Sequence, residues 1–557
     1  MKNKFYLITL FIILVISFPT FGNANFEITP DIDTMIPENV LIYFQISNPE
    51  ELMLNLDNFL SKTGISELLG NMPLKDLFTM LLESEDTGIS LDYFNLSHTI
   101  GFAVLPPSGK FSNSDDVEFM AFFPINNTMD VLKLIGNEQE GDKTWYTIFM
   151  NYLVYFSSKE LKDNFPSNDI INLSNLDKYS NDSLSIYYDV QGLFETFGTE
   201  IPAVVKELEN TNSSDNNLPV KIIEGYFNVF YEIESFFSNI KINRKGISLQ
   251  SDMFFSEDTE RLLSSFDNSN NIQKWEPYLP EKGLFQSIYS LNSKDSRLIM
   301  EKIIDYLFPE IENNPILIDL KEYMEVTSQY AGNGGAFSID INPLVSKTEN
   351  EIFPYDISFS MVTELSDSDA FLKEFRNFYS SQSLNNIMNS FYSDSGYKIM
   401  INMEEIRLNE ISPVFNLKYE LRERKTKSGN NFNETDPVIN FLNNIEFWYY
   451  IAEGKMYSYM GSRGIEGLKE AILPNGNTKN WISKAPHNSN FIWNLSLTNI
   501  VKILEVLPEI RDLLWENNLT FDISGSTSIE NGSIQSNTNI SAKDLGNIFK
   551  LYKDMSF

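Results

Sequence analysis

The sequence contains no cysteine and only two histidines. Without a thiol there is no disulfide, no thiolate metal site, no thiol nucleophile and no cysteine to carry an amino-terminal lipid. With His98 and His487 alone, a histidine-rich zinc centre is excluded by count. Neither histidine stands in a nucleophile-elbow context, and the G-x-S-x-G and H-E-x-x-H motifs are absent. His98 immediately precedes an apolar run at Thr99 and His487 precedes one at Phe491, and each reads as a surface residue where a strand starts. Positive charge is also scarce: 42 Lys and Arg face 77 Asp and Glu, a formal net charge of -35. Such a field repels phosphate backbones and anionic headgroups, so nucleic acid is not an expected partner. The acidity itself reads as a solvated surface.

Long apolar runs are likewise rare, and the chain has one, from Phe5 to Ser17. Lys2 and Lys4 precede it, and Pro19 and Gly22-Asn23-Ala24 follow. This is the pattern of a signal peptide, residues 1–24, cleaved between Ala24 and Asn25. Its removal takes the charge to -37, because two lysines leave and no acid does. The mature chain is expected outside the cytoplasm, in the periplasm or at the cell surface. No later stretch approaches the roughly 20 apolar residues of a spanning helix, so no transmembrane segment is expected in it.

What the chain does contain is a recurring unit in which a strand-like run passes through a capping residue into helical periodicity. Val40 to Ile46 leads through Asn48-Pro49-Glu50-Glu51 into Leu52, Leu56, Phe59 and Leu60, and the opening Pro37-Glu38 returns as Pro280-Glu281. There the strand runs from Leu284 to Leu291, with Ser293 as the expected cap. Further elements recur in the same order. Thr99 to Leu105 matches Gly335 to Ile341, Val117 to Phe123 matches Ile357 to Val362, and the hairpin starting at Trp145 to Phe149 matches the one at Phe447 to Ile451. Each half closes on a long hairpin, the second turning at Asn531-Gly532, a dipeptide suited to the positive φ such turns require. The expected fold is therefore α+β and internally duplicated, with mainly antiparallel sheet. Residues 25–256 form the first repeat, 257–278 the junction and 279–557 the second repeat, with an insert near 384–437.

Residues with chemical potential are few. Adjacent acids at Glu50-Glu51, Asp115-Asp116 and Glu404-Glu405 diverge on a helix or a strand, and read as caps or solvated residues. Gly332-Asn333-Gly334-Gly335 and Gly461-Ser462-Arg463-Gly464 match neither phosphate-binding nor dinucleotide fingerprints. Arg422, Arg424, Lys425 and Lys427 make one basic spot. Tyr226, Phe227, Phe230, Tyr231, Phe236 and Phe237 have the spacing of one helical face. No catalytic, cofactor-binding or metal-binding residue is assigned and no cofactor is expected. The candidate ligand or partner surface is Trp448, Tyr450, Tyr457 and Tyr459, with Arg463 able to hold an anion.

The openings Pro37-Glu38-Asn39-Val40 and Pro280-Glu281-Lys282-Gly283, with hairpins of the Glu453-Gly454-Lys455-Met456 kind running into a helix, resemble a loose group of exported bacterial proteins of unknown function. That resemblance implies a signal peptide and two similar α+β halves, and no catalytic residues. The expected function is a non-enzymatic periplasmic or surface-associated binding or interaction protein, its partner an envelope lipid, glycan or protein. The alternative is an envelope polysaccharide hydrolase working through a carboxylate pair without a sequence signature.

Overall fold

The computed structural model describes residues 32, 35–84, 91–107, 118–129, 131–132, 145–166, 184–197, 231–266, 271–281, 283–307, 315–343, 355–380, 385, 389, 397–407, 413–423, 446–474, 479–496 and 521–555. The expected signal peptide, Asp115-Asp116, Tyr226 to Phe230 and Arg424, Lys425 and Lys427 lie outside them. The fold is α+β, and every strand pairing described below is antiparallel. The chain forms two compact units. One gathers the described residues up to 197, Ile233–Glu257 and those from Ser533 onward, and the other gathers Tyr231, Glu232 and Asp258–Gly532.

In the first unit, β1 (Ile42–Ile46) passes directly into α1 (Pro49–Thr63). The Asn48 side chain accepts the Glu51 backbone N–H at 3.0 Å, and Pro49 occupies the first turn, where its missing N–H leaves nothing unpaired. Gly64 ends the helix at φ 81, a left-handed conformation that a side chain would strain. Strands β2 (Ile100–Leu105), β3 (Glu118–Pro124), β4 (Trp145–Phe149), β5 (Tyr152–Phe156), β6 (Leu184–Asp189), β7 (Ile233–Asn243) and β8 (Gly246–Phe255) follow. They pair in the order β4-β5-β3-β2-β1-β6-β7-β8. A short helix, α2 (Lys159–Asp163), is capped by Ser158, whose hydroxyl accepts the Leu161 N–H at 3.2 Å. On one face of this sheet Tyr43, Met120, Phe122, Val154 and Phe237 form a core with Ile32, Met35 and Ile36. Burying a side chain of this size stabilises the fold by about 1.5–3 kcal/mol. The other face packs Phe59 and Leu60 of α1 against Ile242.

Phe236 and Phe237, assigned above to a helical face, lie on β7 and point to opposite sides of the sheet. Adjacent aromatics satisfy either periodicity over a short window, and the alternation that decides it, Phe237-Asn239 against Ile240-Ile242, begins only beyond them.

The second unit opens after α3 (Glu257–Ser264) with β9 (Phe285–Tyr289), which leads into α4 (Ser293–Leu307). Its cap is Asn292, not Ser293: the Asn292 side chain accepts the Asp295 N–H at 2.9 Å, while the Ser293 N–H donates to the Asn333 side chain at 3.0 Å. Then come α5 (Pro315–Gln329), β10 (Ala331–Pro343), β11 (Tyr355–Leu365), α6 (Ser368–Ser380), β12 (Tyr397–Ile406), β13 (Val414–Glu423), β14 (Glu446–Ala452), β15 (Lys455–Met460), α7 (Gly464–Ile472), β16 (Phe491–Ser496) and β17 (Asp522–Glu530). The pairing order is β12-β13-β14-β15-β11-β10-β9-β16-β17.

Setting aside β12 and β13, which occupy the expected insert, the order β14-β15-β11-β10-β9-β16-β17 parallels β4-β5-β3-β2-β1-β6-β7. Following the register from β1 and β9 outward places Trp145 at the position of Trp448 and Tyr146 at that of Tyr449. This is one residue from the match to Phe447 that hydrophobic pattern gives. The following turns agree residue for residue, Met150-Asn151 at φ 48 and 63 and Glu453-Gly454 at φ 53 and 70.

The last two elements depart from a linear division at residue 257. Strand β18 (Ser533–Ser541) pairs with β8 from Ile534↔Met253 to Ser541↔Gly246, and α8 (Ala542–Met555) packs on α1. Ala542 is fully buried, its N–H donating to the Lys245 carbonyl at 2.8 Å, so this carboxy-terminal segment completes the first unit's sheet and core.

Candidate functional site

The hairpin β14–β15 presents two faces with different surroundings. Successive strand residues alternate between faces, so Trp448 and Tyr450 share one side with Tyr457 and Tyr459. Phe447 and Tyr449 share the other with Met456, Ser458 and Met460.

The first face is core. Trp448, Tyr457 and Tyr459 are 7%, 6% and 6% exposed, and Tyr450 packs beside them at a ring-centroid distance of 5.9 Å from Tyr457. The Trp448 indole donates to Glu446 Oε2 at 3.0 Å, and the Tyr459 ring lies so close to Gly467 of α7 that a Cβ there would sit 2.2 Å from it. Burial, then the neighbouring Tyr278, pushes the Tyr457 phenol well above its ordinary value. These four aromatics are therefore brought together, Trp448, Tyr457 and Tyr459 as buried packing and Tyr450 half-buried beside them, with Tyr459 also among the residues lining the cavity described next. Arg463 is engaged too: its guanidinium forms two hydrogen bonds with the Glu470 carboxylate, one of them at 2.7 Å, and holds that carboxyl below its usual range. The anion-binding role expected of Arg463 is thus filled from within the helix. Gly332 to Gly335 sit on β10, where Gly334 at φ 142 lies against the Tyr289 carbonyl and the Trp275 indole, so close packing accounts for them.

The second face lines a partly open cavity of about 170 Å³. Its floor is the sheet: Phe359 and Met361 of β11, Met456, Ser458 and Met460 of β15, and Phe447 and Tyr449 of β14. Its roof is α6, whose Phe371, Phe375 and Tyr379 fall four residues apart on one helical face, joined by Thr327 of α5. Asp367 fixes the start of α6 by accepting the Ala370 N–H at 2.9 Å. The Phe375 ring stands 5.2 Å from Phe415, 5.3 Å from Tyr449 and 4.5 Å from Tyr379. Hydroxyl-bearing residues interrupt this lining, Ser458 and Thr327 among them, and the Thr327 hydroxyl donates to the Met324 carbonyl at 3.0 Å. The Ser458 hydroxyl is buried, the residue being 6% exposed, and has no hydrogen-bond partner. It sits between Met361 and Tyr449 in the register. A buried hydroxyl left unpaired costs about 1–3 kcal/mol, which a bound acceptor or donor would recover.

His98 and His487 are exposed beside the strand starts. Glu404 and Glu405 alternate along β12, and Glu405 accepts two hydrogen bonds from Arg376, each 3.0 Å. No group of three or more His, Asp or Glu among the described residues could hold a metal ion. No helix among the described residues is long and apolar enough to cross a membrane. No protein-family model, no curated protein and no solved structure matches this chain.

Of the residues expected at a ligand surface, Tyr459 is among those lining the cavity and Trp448, Tyr450, Tyr457 and Arg463 are not; most of the hairpin's contribution comes from the residues one position out of step. Their signal was legible: a Met-x-Ser-x-Met alternation facing Phe-x-Tyr, with a helix carrying aromatics at every fourth position.

Proposed function

We propose that this chain is an exported, non-enzymatic binding protein of the bacterial envelope, built from two copies of one α+β unit, that holds a small apolar ligand beneath α6. The charged, apolar and small-residue succession of residues 1–24 supports export. The shared strand order, the coincidence of Trp145-Tyr146 with Trp448-Tyr449 and the matching positive-φ turns support duplication. The single observation that carries the ligand is the cavity of about 170 Å³, lined by aromatic and methionine side chains around one unpaired hydroxyl.

Size and lining together define the ligand. A cavity of roughly 150 Å³ accommodates a benzene-sized molecule, so this one takes a single ring or a short stretch of acyl chain. Sugars would leave their hydroxyls unpaired against phenylalanine and methionine, and a peptide segment is too large. One carbonyl or hydroxyl on the ligand meets Ser458, and the rest is hydrocarbon. Methionine suits such a role because its flexible thioether adjusts to irregular guests.

The test is native mass spectrometry, with organic extraction, of mature protein purified from its own envelope fraction. A stoichiometric apolar adduct is expected in the wild type and is lost in Met361→Trp, which fills the cavity. Wild-type protein that emerges empty, or an adduct unaffected by Met361→Trp, overturns the reading.

A further inference from the structure

Among the described residues, β4 and its positional counterpart β14 differ at one edge. In the second unit, β14 is covered by β13 through five residue pairs, from Val414↔Tyr450 to Lys418↔Glu446. In the first unit its counterpart β4 pairs, among the described residues, with β5 alone. A strand edge presents unpaired N–H and C=O groups, and proteins blunt such edges with charge, proline or a bulge. Strand β12, an outer strand of the second unit, carries Lys398, Glu404 and Glu405, the last tied to Arg376. Strand β4 reads Trp145-Tyr146-Thr147-Ile148-Phe149, with no charge, no proline and no register break.

We propose that β4 is a pairing edge for β4 of a second copy of this chain, forming a two-fold dimer in which the sheets of two first units become continuous. The strand is complementary to itself. In an antiparallel pair centred on Thr147, Trp145 meets Phe149 of the other copy and Tyr146 meets Ile148. Each pair falls on one side of the sheet, because Trp145 and Phe149 already pack on one core and Tyr146 and Ile148 on another. Such aromatic and β-branched cross-strand pairs are the favourable ones. No charged residue meets its like, although each chain carries -35 overall, so an uncharged edge is where two copies approach with least repulsion. Self-complementary patches of this kind generate the commonest oligomeric symmetry.

The surface beside the edge is apolar as well. Met150, in the turn that ends β4, is 52% exposed, and Met129 and Leu132 are 63% and 45% exposed. The segment carrying Met129 is joined to that turn by the Ile125 N–H donating to the Asn151 carbonyl at 2.9 Å. Five residue pairs bury less than a typical stable interface, and Met150, at the end of the strand, extends the contact.

The absence of cysteine makes the test clean. At the centre of the pair Thr147 faces its own copy, at the separation of directly opposed strand residues, which a disulfide spans. Mature Thr147→Cys is expected to form a covalent dimer on mild oxidation, whereas Leu54→Cys, on the exposed side of α1, is expected to stay monomeric. Sedimentation of the wild type is expected to show a concentration-dependent dimer that Thr147→Lys abolishes, with far-ultraviolet circular dichroism unchanged. A wild type that is monomeric at all concentrations overturns the proposal. So does Thr147→Cys cross-linking no faster than Leu54→Cys, or a dimer that persists in a folded Thr147→Lys.

Discussion

The two faces of the β14–β15 hairpin differ in what they leave open. Beneath α7, Trp448, Tyr457 and Tyr459 fill the space so completely that Gly467 has no room for a methyl group. Beneath α6, the residues one position out of step leave about 170 Å³ and an unpaired hydroxyl. The same ten or so residues thus supply a close-packed layer and a receptive one. The difference lies in the opposing helix: α7 approaches through glycine, whereas α6 approaches through Phe371, Phe375 and Tyr379, whose rings hold the backbone away from the sheet. Rich aromatic content therefore marks the packed face here, and the cavity lies where methionine and serine interrupt it.

The largest effect should come from breaking the packed face. Trp448→Ala removes a side chain that is 7% exposed and hydrogen-bonded to Glu446, and should destabilise the protein by about 3–5 kcal/mol through the cavity left behind. Chemical denaturation of the purified variant measures this directly. A loss below about 1 kcal/mol would mean that the face is not the packed layer described.

A smaller effect of opposite sign is expected on the receptive face. Ser458→Ala deletes the unpaired hydroxyl and leaves the apolar lining, so the empty protein should gain about 1 kcal/mol. Retention of the proposed ligand should fall at the same time, since its polar group would lose its partner. Denaturation midpoints of stripped protein and adduct occupancy by native mass spectrometry check the two halves. A variant less stable when empty would indicate that the hydroxyl is already satisfied.

Much of the fold was legible in the sequence, because local rules and tertiary context agree there. Asn48-Pro49 starts α1, Ser158 starts α2, and Asn531-Gly532 takes up the φ values of 49 and 81 that its sequence announces. The failures share a physical cause. Asn292 and Ser293 are both good caps, and only the distant Asn333 side chain, by binding the Ser293 N–H, decides between them. Parity on β14–β15 is equally clear in either reading, and which side faces a void depends on helices far along the chain. The pairing of β18 with β8 connects residues nearly 300 apart, which no window of periodicity can contain. The cavity was hidden for the same reason: its lining comes from α5, α6, β11, β14 and β15.

The smallest effect concerns the tip of α7, where the sequence offered an anion site and the structure places an internal ion pair. Arg463 and Glu470 are 51% and 62% exposed at their side chains, so solvent screens the pair and its worth is only a few tenths of a kcal/mol. The pH dependence has a definite sign. Hydrogen bonding to Arg463 lowers the Glu470 carboxyl below its ordinary 4.5, so the folded state binds fewer protons than the unfolded chain in that range. The stabilisation is fully present above about 4.5 and lost as pH falls through the lower folded value. Glu470→Gln should therefore leave stability near neutrality almost unchanged and slightly flatten its decline on acidification. Denaturation midpoints across the acid range would reveal this. A loss at neutral pH comparable to that of Trp448→Ala would instead assign the ion pair to the packed face, with Arg463 helping to hold α7 against Tyr459.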